Sequence, residues 1–599
     1  MDSTTAALAA LALTAWYLSP GRQRSADVLQ YRRLRLDRAC IPHPTRVPGQ
    51  TAIYRAVLTP PGADLARTPW MDPQERASLG GDGRAPSLFD LVASGLTAAD
   101  PTRAMVAALG GPSLTGAEFL TSVLNLGAGL HVLLVPTDPA VTAAEDTTAK
   151  PPSPILNLLG HHGHTHALAR LQLDLACIAY GITQRTVSSA EAAHPVAIAA
   201  LLASPTTPPP SAIVVTASAV SALVAALPEL LANTPLVVVP DADACSSGVN
   251  GTFDHLGAGG GGGIDLSPKP AARVGFPYLM EAGRVAARAR PVNQRVGTGW
   301  VDDLVVEDAT AAMAGLSGHG LRVDQPQPGQ VAVVEVSGTG LTAHIYAYYL
   351  LSRGVSVHLL SDQAHLENYS TSSPVHALNP HLLVLSSPSF HSVSSQLDAA
   401  AAAPTLAGTM TGPLARQHLA AARHAGFALT WSELLVHQRA AFRGARRSVG
   451  SRLRTVTVLG LLGATTDDLT WATLAGVTVV RVWGPQAALG IAFATPVARG
   501  RPLTAAELPT TSPDELRHTG DAMHVGAVLP HCEFKIVSRT EEDAARKVGP
   551  RVLVRTATWT GARGPPPATP VDPADRGWVD AGVKMGWIDR QGELWVVVV

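Results

Sequence analysis

The sequence predicts an α/β fold with large, mostly parallel sheets and a small β-rich unit at the C-terminal end. Three observations predict it. Between Ala212 and Arg481, short runs of β-branched and aliphatic residues alternate with helix-length segments, the βαβ rhythm of a parallel sheet. Within it a helix-like segment, Ser218 to Ala232, separates the strand-like runs Ala212–Thr216 and Pro235–Pro240. The closing segment instead carries hairpin signals, such as Asp589-Arg-Gln-Gly592 between two β-rich runs.

Composition limits what the chain does. With 599 residues it holds several domains' worth of sequence, and at 46% hydrophobic residues it can fill a large core, which excludes a disordered or collagen-like chain. Lys and Arg number 45 against 46 Asp and Glu, so the concentrated basic field of a nucleic-acid binder is missing. Only 15% of residues are charged, which favours membrane association over a freely soluble enzyme. Four cysteines (Cys40, Cys177, Cys245 and Cys532) form no Cys-x-x-Cys pair. They read as buried thiols in a reducing compartment, not as a disulfide framework or zinc ribbon.

Taken in order, the chain opens on Ala6 to Leu18, apolar apart from Thr14 and ending in Trp16-Tyr17, residues suited to a headgroup boundary. The run is shorter than the roughly 20 residues a span needs. Arg22, Arg24, Arg32, Arg33, Arg35 and Arg38 follow it, and Asp2 precedes it. This asymmetry favours an uncleaved anchor over residues 1–24 with a cytosol-facing body, the membrane lipid being its partner. An Ala-rich helix packed on the body and a targeting peptide are the alternatives. The α/β core is expected over 40–480 and the β-rich subdomain over 481–599. Residues 40–75 are Pro-rich and loop-like. Residues 86–135 read as helix, loop, helix and a strand ending in His131-Val-Leu-Leu-Val135, and 137–154 as a linker. A helical stretch after Pro154 leads to strands at Ala212–Thr216 and Pro235–Pro240, with a helix at Ser218–Ala232 between them. Gly259 to Gly263 reads as a flexible linker. Phe276 to Arg288 is helix-like. Strands follow at Val331–Val336, Val355–Leu360 (after a helix and Gly354), His381–Leu385, Thr455–Leu459 and Val477–Arg481.

Two clusters stand apart from this rhythm. His161, His162, His164 and His166 put two imidazoles at i, i+4 if helical, a spacing that can hold a metal, yet no His-Glu-x-x-His acid is near. A surface helix start is the favoured reading, and no metal site is assigned. Arg443, Arg446, Arg447, Arg452 and Arg454 read as a solvated face, with contact to anionic headgroups as the alternative.

The most specific text is Gly577-Trp578-Val-Asp-Ala-Gly-Val583-Lys-Met-Gly-Trp-Ile-Asp589 with Gly592 and Leu594. It resembles the GW-x-x-TGD-x-G-x-x-D-x-x-G-x-L segment of adenylate-forming (AMP-binding) enzymes. Other pieces arrive in that family's order. Val525–Pro530 with Glu533–Val537 resembles its strand pair VG-x-x-LP and K-IVD, and Gly549 with Val552–Arg555 resembles the following strand. Trp483-Gly484 stands where Y-G-x-T-E begins. Gly450-Ser-Arg-Leu-Arg454 with Gly463-Ala464, His344-Ile-Tyr346, Ala52–Arg55 and Ser87–Leu91 resemble the long-chain acyl-CoA synthetase branch.

This resemblance implies the layered α/β fold of the family's large N-terminal region. It also implies a reaction of fatty acid with ATP and Mg²⁺, then coenzyme A. Such chemistry needs a phosphate-cradling loop with a Lys, a Mg²⁺-holding carboxylate, a ribose-binding carboxylate and a Lys from a mobile C-terminal domain. Here the five lysines are Lys150, Lys269, Lys535, Lys547 and Lys584, so none lies between 270 and 534, where the loop belongs. Asp303 to Gly315 occupies that slot with Glu307 and Asp308, which repel phosphate. Ser337–Gly340 and Gly259–Lys269 are poorer fits to the loop. The Mg²⁺-binding Glu position is Ala487, and the ribose-binding Asp position is Val583. The chain stops at Val599, ahead of the family's mobile domain, which is therefore expected to be absent.

The expectation is an acyl-CoA synthetase-like protein with no catalytic residues and no retained cofactor, cytosol-facing at a membrane and favouring the endoplasmic reticulum. It would bind an acyl chain, a nucleotide or protein partners. The alternatives are an active ligase using ATP/Mg²⁺ and CoA, and a structural subunit. Gly463, Ala464, Trp483 and Gly484 are the nucleotide-side candidates and His344 the acyl-pocket candidate. Plain core packing is the competing reading of each.

Overall fold

A computed structural model describes residues 40–42, 53–56, 88–134, 155–159, 166–186, 198, 210–226, 234–240, 273–289, 300–301, 304–305, 326–336, 341–361, 366, 373–402, 449–460, 477–485, 491–496, 522–529, 531–537, 551–556, 578–583, 585–588 and 594–597. Its helices include α1 (Leu88–Ala98), α2 (Gly116–Leu134), α3 (Ala167–Tyr180), α4 (Val220–Ala226), α5 (Phe276–Ala289), α6 (Leu341–Ser352), α7 (Pro374–Leu378) and α8 (Ser387–Ala402).

The described strands form three sheets. The eleven-stranded sheet has a parallel centre of Thr478–Trp483, Thr455–Leu459, Leu382–Ser386, Val331–Glu335, Ser356–Leu360 and Ala104–Ala108. Antiparallel strands extend both edges. The seven-stranded sheet is parallel from Trp300–Val301 through Gln184–Thr186, Ile155–Asn157, Ala212–Thr216 and Leu236–Val239 to Arg273–Gly275. The five-stranded sheet is wholly antiparallel and joins Cys40–Pro42 and Tyr54–Ala56 to Cys532–Val537, Arg551–Thr556 and Val579–Asp580.

The apolar runs have a direct cause in this layering. Successive strand side chains point to opposite faces, and here both faces are covered. Ala332 and Val334 enter one core while Val333 enters another; Leu382 and Val384 part from Leu383 and Leu385 in the same way. In the second sheet Ala212 and Val214 share the first of these cores, and Ile213 and Val215 enter a third. The shared core holds α1, α2, α3, α6 and the start of α5, so it glues the two parallel sheets through a helical layer.

Helix α2 has the length and apolarity of a membrane span by composition alone. Its Phe119, Val123, Leu126, Leu130 and Leu133 are buried inside the protein core. Residues 131–134, expected as a strand, are the last turn of this helix; Val135 lies outside the described residues. An apolar run of that length fits either element, and it stays helical because it continues the turns begun at Gly116. Strands at Ala104–Ala108, Ile155–Asn157 and Gln184–Thr186 carry no such signal in the sequence, being Ala-rich, very short or polar. The strands Ala522–Val528 and Cys532–Val537, read as a pair, follow each other but belong to different sheets. The residues between them turn the chain from the large sheet into the small one. The N-terminal segment 1–24, the arginines at 443, 446 and 447, the histidines at 161, 162 and 164, the loops 259–269 and 337–340, and the stretches 137–154 and 306–315 lie outside the described residues.

Candidate functional site

In open α/β sheets, ligands meet the carboxyl ends of the parallel strands. In the large sheet those ends carry Glu335, Ser386, Leu459-Gly460 and Trp483-Gly484. Glu335 closes an otherwise apolar strand and is fully buried. It accepts hydrogen bonds from the Ser386 amide (2.7 Å), the Ser386 hydroxyl (2.9 Å) and the Ser389 hydroxyl (2.7 Å). The carboxylate thus sits against the first turn of α8, where the helix dipole and orphan N–H groups favour negative charge. Its oxygens are used to fix that turn.

Trp483 ends the strand Thr478–Trp483 and stacks on Phe493, with centroids 5.5 Å apart. Phe493 meets Phe534 edge-on at 5.3 Å, and Phe534 stacks on Tyr54 at 5.3 Å. This aromatic row ties two interior strands of the large sheet to the five-stranded sheet. Gly484 is pressed against the neighbouring strand. A Cβ there would lie 2.7 Å from the Ala492 nitrogen and 2.9 Å from its Cβ, so only glycine fits without a shift. Close by, His531 is buried and its Nε2 donates to the Ile491 carbonyl at 2.9 Å. Burial pushes its imidazole down to about 4, only partly opposed by that bond, so the ring is neutral at pH 7.

His344 lies on α6, buried, and its Nδ1 is 2.8 Å from Asp174 Oδ2 on α3. The other carboxylate oxygen accepts from Gln184 Nε2 at 2.7 Å. Burial lowers His344's affinity for a proton and the Arg170 charge lowers it further, against the hydrogen bond with Asp174. Burial by itself disfavours ionised Asp174, but the His344 hydrogen bond, nearby positive charge and Gln184 outweigh it and hold the carboxyl below its usual range. Neutral His344 therefore donates Nδ1–H to an ionised Asp174, a hydrogen bond rather than an ion pair. Two residues on, the Tyr346 hydroxyl lies 3.0 Å from the Thr457 hydroxyl and joins α6 to the sheet. The acyl-side candidate is thus placed in a contact between two helices.

Val583, at the position where the resemblance calls for an acid, is buried in an apolar cluster with Ala581, Phe534 and Val596. Asp580, the nearest acid, accepts from the Gly582 amide at 2.9 Å and so caps its own turn. A valine in an apolar cluster offers no acceptor to sugar hydroxyls, so the residues at this position do not fit a nucleotide's ribose. Gly463, Ala464 and Ala487 lie outside the described residues. No group of three or more metal-competent side chains occurs among the described residues. The structure thus joins Trp483 to Gly484 at one strand end and puts His344 between α3 and α6. Sequence reasoning missed Glu335 and Asp174. Each is a lone acid in an apolar run, the one available signal of a buried, partnered carboxylate.

No family profile and no curated protein matches the chain. Solved structures do. A protein named as a long-chain-fatty-acid CoA ligase from Rhodopseudomonas palustris superposes with a TM-score of 0.50 at 15% identity, covering 86% of this chain and 99% of that one. The coronafacic acid ligase of Pectobacterium brasiliense gives 0.51 at 10% identity, covering 85% and 77%. At such identities the likeness speaks for the fold, and it agrees with the two parallel sheets, the shared helical layer and the small antiparallel sheet. The chain has the layered α/β fold of the large N-terminal region of the adenylate-forming enzymes.

Proposed function

We propose that the chain is a non-catalytic relative of the acyl-CoA ligases: a membrane-associated accessory protein of lipid metabolism that binds acyl ligands without activating them. One observation carries this reading. Val583 plugs an apolar cluster at the position where the resembled family needs an acid for the ribose. The absence of any lysine between 270 and 534, and the alanine at 487, support it from the sequence. Losing one preorganised electrostatic contact typically costs about 10²–10³ in rate, and several here would serve one transition state. The apolar run Ala6–Leu18 with its trailing arginines supports the membrane part of the proposal.

The test is pyrophosphate release with palmitate, ATP and Mg²⁺, using the full chain. The expected rate equals that of a no-enzyme control. Sustained release that requires all three components rejects the proposal. In parallel, palmitoyl-CoA is expected to raise the melting temperature, since a ligand bound to the folded state stabilises it.

A further inference from the structure

Helix α3 is the crossover helix of the seven-stranded sheet, between Ile155–Asn157 and Gln184–Thr186. Helix α6 is the crossover helix of the eleven-stranded sheet, between Val331–Glu335 and Ser356–Leu360. Asp174 and His344, 170 residues apart in the chain, meet where these helices touch. Arg170 lies one turn before Asp174 and Tyr348 one turn after His344, the i, i+4 spacing of one helix face. We propose that Arg170, Asp174 and His344 form an acid-sensitive latch that holds the two sheets' crossover helices together. This inference is independent of the ligand-binding reading.

The physical case is a charge count in a closed site. Arg170 and Asp174 cancel, and neutral His344 adds nothing. A proton on His344 leaves one net positive charge between two buried helices. Arg170 Nε and Gln184 Oε1 are buried without hydrogen-bond partners among the described residues, while Tyr348 adds its own hydrogen bond to Asp174. The charges acting on the ring are Arg170 and Asp174 from α3. Tyr348 on α6 feels Asp174, Arg170 and Cys177, and burial raises its pKa far enough that it stays neutral. Gln184 contributes an uncharged amide from the adjoining strand.

The direction follows from linkage. His344 has a lower pKa folded than unfolded, so its contribution to stability is complete above the unfolded value of about 6.5. It falls as pH drops below that value toward the folded one. Asp174, also lowered, stays ionised throughout that window. His358, His381 and His531 are lowered as well, chiefly by burial, so a global unfolding midpoint mixes four imidazoles. A local readout is needed.

Amide hydrogen exchange on the full chain, corrected for intrinsic rates, provides it. Between pH 7.5 and 5.5, protection of α3 and α6 peptides is expected to fall severalfold more than that of the strand Ala212–Thr216, with about tenfold as the ceiling for a single imidazole. Equal changes overturn the latch. His344→Gln keeps a donor but cannot titrate, so its α3 and α6 protection is expected to lose this extra pH dependence; a retained dependence overturns the latch. Should that variant not fold, Arg170→Gln decides. Arg170 is partly exposed, and removing its charge raises the folded His344 value toward the unfolded one, so less protection is lost in acid and opening should move to lower pH. An unmoved opening pH overturns the proposal.

Discussion

Glu533→Ala is expected to lower the unfolding free energy by about 3 kcal/mol, toward the low end of the range for breaking a buried ion pair. Glu533 is fully buried between Arg55 and Arg555, which stand opposite it on the two flanking strands. Arg55 Nε donates to one carboxylate oxygen at 2.7 Å, and Arg555 donates to the other. Lys535 and Arg555 lie against the Trp578 ring, at 4.7 and 4.8 Å from its centroid. Deleting the carboxylate leaves these cations facing one another without their shared anion. Both arginine side chains retain some solvent access, 16% and 35%, which limits the penalty. Urea unfolding measures the change. Because Arg55 lies 478 residues from Glu533, the same variant should release the strand Tyr54–Ala56 to exchange. A loss below about 0.5 kcal/mol, the scale of an ordinary surface substitution, would show that the clamp contributes nothing.

Gly283→Ala is expected to cost about 2–3 kcal/mol, as overpacking does in a closed core. Helices α2 and α5 cross at glycine. A Cβ on Gly283 would overlap the Asn125 carbonyl oxygen and lie 2.6 Å from the Gly129 nitrogen; a Cβ on Gly129 would overlap the Leu279 carbonyl. The obstacles are backbone atoms, so rotamer changes cannot relieve them, and the helices must separate. Gly275→Ala is the control, because its Cβ would meet nothing nearer than 3.9 Å. The two variants are expected to differ clearly in urea midpoint, and equal midpoints would contradict the crossing geometry.

The parallel strands were legible because burial on both faces forces runs such as Val331–Glu335 and Leu382–Ser386 to be apolar at every position but the last. Gln184–Thr186 was not legible: its pairing, not its composition, makes it a strand. The closing hairpin was readable from its turn residues, and Met585–Ile588 does pair with Leu594–Val597. Residues 131–134 misled because an apolar run does not reveal its period. The site was half legible. Val583 is a substitution visible in the sequence alone, whereas the partners of His344 and Glu533 come from distant parts of the chain and only the fold brings them together. The Trp483–Phe493–Phe534–Tyr54 row is hidden for the same reason.

The central claim of the proposed function is electrostatic: with no lysine between 270 and 534 and an apolar Val583, the chain lacks the groups that would complement a metal-bound triphosphate and its sugar. Titration calorimetry of the full chain with ATP, with and without Mg²⁺, tests it most directly. The account predicts no magnesium-dependent heat of binding. Saturable binding of ATP that requires Mg²⁺, or is strengthened by it, would contradict the account.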